Sequence, residues 1–164
     1  MRKHLPVFVL CVVLLAIAAV PAGAGTDRVK FPAGYKSFVH YATVERADNK
    51  TVRLMYADPA TVAAVKAGKP ASDGAVIVME VYRGEPAPGG GLKRGAFRGI
   101  FVMEKGAGWG AEYPDTLRNG DWEYARFDAD GKRNKKRNMN SCFTCHKKEA
   151  VNDYVFTAGA MKAK

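Results

Sequence analysis

The run Cys142-Phe143-Thr144-Cys145-His146 constrains this chain more than any other stretch. Two thiols three positions apart, with a histidine directly after the second, have the attachment spacing of a c-type haem. On one helical turn each thiol can form a thioether to one vinyl group of the ring. The histidine then points at the iron from one face. The expected roles are Cys142 and Cys145 as covalent tethers of a single haem c and His146 as proximal ligand. The iron carries the chemistry, which the protein tunes through axial ligation, hydrogen bonding and access.

Two other chemistries use part of this spacing. A bare Cys-x-x-Cys can be half of a zinc site, but beyond the N-terminal leader described next the chain has no third cysteine and one other histidine, His40. A thiol redox pair would need a thioredoxin-like βαβ setting, and no such alternation is visible.

Residues 1–24 read as a secretory signal peptide. Arg2, Lys3 and His4 form a basic start, Leu5 to Val20 an apolar run, and Pro21-Ala22-Gly23-Ala24 a small-residue cleavage site. Cys11 lies in the apolar run behind a leucine, which does not suit a lipoprotein anchor. Cleavage after Ala24 leaves residues 25–164 as one haem c domain of modal size. Both remaining cysteines then belong to the haem motif. Export suits haem attachment, and the expected location is the periplasm. Without Arg2 and Lys3 the 26 basic residues become 24 against 16 acidic, a net +8. That charge suits an acidic periplasmic electron-transfer partner or a membrane surface, and an exported chain meets no nucleic acid.

Strand-like composition recurs along the domain. Ser37 to Val44 and Thr51 to Ala57 flank the turn Asp48-Asn49-Lys50. Asp58 as N-cap and Pro59 at the first helical position start a short helix, which Gly68 stops. Ala75 to Arg83 is an apolar run suited to a buried central strand. Its alternation sets Ala75, Ile77, Met79 and Val81 against Val76, Val78, Glu80 and Tyr82, and one of these faces is expected to wall the haem pocket. Gly84 to Gly91 reads as a loop, Ala96 to Lys105 and Trp122 to Phe127 as strands. The expected fold is α+β and β-rich, an antiparallel sheet of about five strands with short helices, the haem held by a C-terminal Cys-x-x-Cys-His helix.

Ordinary electron-transfer cytochromes c carry the motif near the start of a helical domain. Here 18 residues follow His146, and strands precede it. Four-helix cytochromes place the motif late, but this chain lacks four long amphipathic helices. Instead the chain resembles the cytochrome P-460 group and its relatives called cytochrome c′-beta. The resemblance rests on Phe31-Pro32-x-Gly34-Tyr35, on Asp73 to Glu80, on Gly120-Asp121-Trp122-Glu123-Tyr124-Ala125-x-Phe127, on the haem motif, and on Asp153-Tyr154-Val155-Phe156-Thr157. It implies a predominantly β fold, a homodimer, and an iron with one histidine ligand and an open distal side. It also implies one of two chemistries. P-460 enzymes oxidise hydroxylamine and carry a lysine joined to the haem ring. The c′-beta relatives lack that link and bind nitric oxide in an apolar pocket.

The residues favour the second. The central strand contains no lysine, and the helix end supplies only Lys66 and Lys69. For a sixth ligand the chain offers His40, Met55, Met79, Met103, Met139 and Met161, of which strand methionines more often fill a core. Met139 is too close to Cys142 to reach the opposite haem face easily, and Met161 lies in a tail expected to fray. The reading is therefore a five-coordinate binder of nitric oxide or related small nitrogen species. The alternatives are a hydroxylamine oxidase and a periplasmic electron-transfer cytochrome. Arg98 and Arg118 are candidates for the haem propionates. Lys132 to Arg137 holds five basic residues in six positions, either a solvated loop or a docking patch.

Overall fold

The computed structural model describes residues 28–164; the signal-peptide stretch lies outside the described residues. Five antiparallel strands follow one another in sequence order across a single sheet. They are β1 (Val39–Arg46), β2 (Thr51–Ala57), β3 (Val76–Pro86), β4 (Leu92–Lys105) and β5 (Trp122–Phe127). Three short helices, α1 (Pro59–Lys66), α2 (Asn140–His146) and α3 (Ala158–Lys162), complete the domain with a few 3-10 turns.

α1 forms where the local chemistry prescribes it. Asp58 accepts hydrogen bonds from the Thr61 amide (2.9 Å) and hydroxyl (2.5 Å), and Pro59 takes the first turn, where its missing N–H costs nothing. The same carboxylate accepts from the Val76 amide at 2.8 Å, so the cap also fixes the start of β3.

The hairpin between β3 and β4 is longer than the glycine and proline pattern predicts: β3 runs to Pro86 and β4 begins at Leu92. Gly84 makes this continuation compatible with the neighbouring turn. Its amide donates to the Lys50 carbonyl at 2.7 Å, and a Cβ there would lie 3.1 Å from the Lys50 backbone. The glycine thus permits a close backbone approach instead of ending the strand. The expected frayed tail is also absent. Met161 is fully buried, because α3 packs against α1 and β1.

The pleat sorts the sheet into two apolar layers. On one face, Val39, Ala57, Ile77, Met103 and Tyr124 form a cross-strand row, and Ala42, Met55, Met79, Phe101 and Arg126 form the next. A register shift between His40 and Ala42 brings Tyr41 to this face as well. Its hydroxyl pairs with Thr157 Oγ1 at 2.7 Å, and burial pushes the phenol up to about 12. The helices cover this layer. The opposite layer contains Leu54, Tyr56, Val78, Ile100, Val102 and Phe127. Within it Glu80 is buried, accepting from Tyr35 (2.5 Å), Tyr82 (3.0 Å) and Lys36.

Candidate functional site

α2 is fixed through its middle. Phe143 is fully buried between Tyr113 (ring centroids 4.7 Å apart) and Tyr124 (4.8 Å). The Asn119 side-chain amide donates to both the Phe143 carbonyl and the Tyr124 hydroxyl, each at 2.9 Å. With Phe143 locked inward, Cys142 and His146, four positions apart, share one helix face. Both line a cavity against the inner face of the sheet, and Cys145 lines the adjoining one.

These two cavities measure about 80 and about 450 Å³ and share Met55, Ile77, Met79, Met103 and His146. The larger falls within the range of cofactor sites. The strand alternation is therefore correct, with Ile77 and Met79 on the cavity side and Val78 and Glu80 behind it. Phe101 extends the apolar wall and Phe156 lies 5.2 Å from the His146 ring.

His146 is oriented through its first nitrogen. Nδ1 pairs with the Tyr154 carbonyl at 2.7 Å, which makes Nδ1 the donor and leaves the Nε2 lone pair free. Burial lowers the imidazole pKa, with the Tyr154 contact opposing, so the neutral form is favoured. The carbonyl is presented by an unusual backbone: Asp153 and Tyr154 both have positive φ, 51° and 62°. Asp153 is pinned there. Its carboxylate accepts from the Ala71 amide (2.9 Å) and pairs with Lys105 Nζ (2.9 Å).

The donor set fits a covalently tethered haem. Both thiols are free, one helical turn apart, beside a cavity faced by a neutral imidazole. Burial pushes the Cys142 thiol up, with Arg137 opposing. The zinc alternative lacks ligands, since no group of three His, Cys, Asp or Glu side chains suited to a metal is gathered among the described residues. The purely antiparallel sheet also lacks the βαβ unit of thiol redox folds.

Other candidates lie elsewhere. His40 is exposed, 5.2 Å from the Tyr56 ring on the far side of the sheet. Lys69 lines a separate cleft with Pro70 and Lys162, and Lys66 is exposed. Arg118 is not available to a propionate: it donates to the Gly110 and Tyr113 carbonyls and pairs with Asp115. Arg98 is exposed and does not line either cavity. The arginines that do line the larger cavity, Arg46 and Arg53, carry no local motif. Only the strand register reveals them.

A search of curated proteins finds no match for the chain. Residues 32–157 match the family described as Cytochrome P460. That span contains every strand, the Cys-x-x-Cys-His helix and the Tyr154 carbonyl behind His146, so the chain belongs to the cytochrome P460 family and is a haem-binding cytochrome.

Proposed function

We propose that this is an exported cytochrome with one haem, joined to Cys142 and Cys145 and ligated by His146 Nε2, whose open face binds nitric oxide or a related small nitrogen species. When bound, the haem supplies an iron that takes up such a ligand. The supporting observation is the chemistry of the wall across from His146: Met55, Ile77, Met79, Phe101 and Met103. These side chains exclude water and admit a small neutral molecule. They offer no group to accept hydroxylamine's protons, which general-base catalysis would require. Nor does the wall contain a lysine for a ring cross-link. The cavity's one lysine, Lys148, is exposed and two positions past the ligand. The proposal includes removal of residues 1–24 on the way to the periplasm, and assembly as a homodimer.

One observation favours a second reading. Three thioethers, from Met55, Met79 and Met103, share the wall, and methionine opposite histidine makes an electron-transfer centre. Here Met55 and Met79 are directly paired across the strands and Met103 stands beside Ile77. All three belong to one continuous apolar wall, which favours the first reading.

The mass of the holo-protein and of its tryptic haem peptide, with ferrous spectra under carbon monoxide and nitric oxide, tests all of this. The expected result is one haem on the peptide containing Cys142 and Cys145, and a spectrum that shifts with either gas. A second, lysine-containing peptide joined to the haem would favour the oxidase. A low-spin ferrous spectrum indifferent to both gases would favour methionine ligation.

A further inference from the structure

The larger cavity is basic at the end where α2 presents Cys145. Arg46, Arg53 and Lys148 line it together with the exposed Cys145, and no carboxylate does. Arg46 is matched by Asp48, with contacts of 2.8 and 2.6 Å. That leaves half-buried Arg53 and exposed Lys148 to set the sign of this end. The flanking chain has the same sign. The five basic residues of 132–137 lead into α2, and Lys147 and Lys148 follow it, with no acidic residue between Asp130 and Glu149.

An aromatic ring lines the cavity with these cations. Phe156 is 48% exposed, yet its ring meets the His146 ring edge to face, with centroids 5.2 Å apart and planes at 78°. It therefore joins the proposed iron ligand to the surface. An exposed aromatic accompanied by cations has the layout of a docking surface, apolar at its centre and charged around it. We propose that Phe156, Lys148, Arg46 and Arg53 form the docking surface for an acidic electron-transfer protein, which passes one electron to the haem iron at this edge. This rests on the haem reading above and adds where the donor binds. The donor loses one electron, ferric iron becomes ferrous, and no proton has to move. The basic run 132–137 adds a field that draws an acidic protein towards this side. A second copy of this chain is a poorer occupant, because a two-fold contact would set these cations against themselves. A lipid surface would match the charge but would give the contact between Phe156 and His146 no use.

The test uses exported holo-protein, first checked for covalent haem by the mass of its haem peptide. Absence of covalent haem would refute the haem reading itself, before any donor is added. The probe is flavodoxin, an acidic one-electron flavoprotein. Its oxidised form measures binding by calorimetry. Its anionic hydroquinone measures reduction by stopped flow, giving one electron to ferric iron and becoming the neutral semiquinone. Binding should weaken about tenfold between about 10 and about 150 mM salt, as the Debye length falls from about 30 to about 8 Å. At low salt Lys148→Glu should bind about fivefold more weakly and be reduced correspondingly more slowly. Phe156→Ala should bind about threefold more weakly. Lys66→Glu makes the same charge change at the exposed end of α1 and should stay within about twofold of wild type.

A Lys66→Glu protein as weak as Lys148→Glu would reduce the effect to net charge and overturn the proposal. So would absence of wild-type binding at low salt, or unchanged affinity in either Lys148→Glu or Phe156→Ala. Weaker binding with unchanged reduction would show a non-productive contact and overturn it as well. Vesicles of phosphatidylglycerol and phosphatidylcholine supply the last arm. Adsorption that is lost in Lys148→Glu while flavodoxin binding is kept would assign the surface to a membrane instead.

Discussion

Asp153 is the residue whose removal should be felt furthest from its own position. It stands at φ 51°, a left-handed conformation that Asp tolerates better than most side chains. Its carboxylate holds the Ala71 amide and the Lys105 ammonium, and the Lys105 side chain is only 15% exposed. Asp153→Ala leaves that ammonium with the Ala71 carbonyl at 3.0 Å and the Trp122 ring at 5.5 Å. Removing one partner of a largely buried ion pair costs about 3 kcal/mol. The orphaned amide and the strained alanine bring the total to about 4 kcal/mol. For a domain of this size that is a fall of about 12 °C in melting temperature. Asp153→Asn keeps the backbone preference and an acceptor for Ala71, and should cost about 2 kcal/mol. The consequence reaches the proposed iron ligand because Tyr154, the next residue, supplies the carbonyl that orients His146. Loosening it weakens the Nδ1–H contact and lowers the basicity of Nε2. Resonance Raman of the ferrous holo-protein should then show a lower iron–histidine stretching frequency in Asp153→Ala, with a smaller shift in Asp153→Asn. Urea unfolding gives the energies. An Asp153→Ala protein within about 0.5 kcal/mol of wild type, with an unshifted stretch, would refute the argument.

Two further outcomes test the scaffold. Burial works against the charge of Glu80, but hydrogen bonds from Lys36, Tyr35 and Tyr82 outweigh it and hold the carboxyl below its ordinary range. Such a group stabilises the fold above its unfolded pKa of about 4.3, and that contribution is lost as pH falls through the lower folded value. Urea unfolding between about pH 7 and about pH 3 should therefore show a shallower acid limb for Glu80→Gln than for wild type; parallel limbs would show that the cluster does not hold the ionised form. Gly110 lies so close to the next loop that a Cβ would meet the Gly120 carbonyl oxygen at 1.9 Å. Gly110→Ala should thus cost about 3 kcal/mol in the same assay, while Gly34→Ala, with nothing within 4 Å, should stay within about 0.5 kcal/mol.

What was legible in the chain depended on how local its cause was. β2 and β5 begin and end where composition and turn residues put them, because a Pro or an Asp-Gly turn acts within a few residues. The helix start at Asp58-Pro59 is legible for the same reason. The hairpin after β3 is not legible locally, because its glycines and prolines do not act on their neighbours alone. Gly84 serves a contact with Lys50, on another turn, and that contact has no signature in its neighbours. Met161 is a similar case: a five-residue terminal helix looks weak alone and is held by its packing against α1 and β1.

The site divides along the same line. Cys142, Cys145 and His146 stand out in the sequence as the proposed haem site, because their spacing alone suggests it. The groups that make those three usable are spread over the chain: the Tyr154 carbonyl, Asp153, Lys105, the methionines on β2, β3 and β4, and Arg53. Each comes to the cavity through register. A one-residue slip between β1 and β2 would carry Arg53 to the opposite face and bring Leu54 inward. The register shift after His40 and the pairing of Met55 with Met79 therefore set which residues line the cavity around the haem motif. The proposal of a tethered, histidine-ligated ring rests on five consecutive residues. What the cavity can admit depends on which strand positions face inward, and that follows from the pairing of the whole sheet.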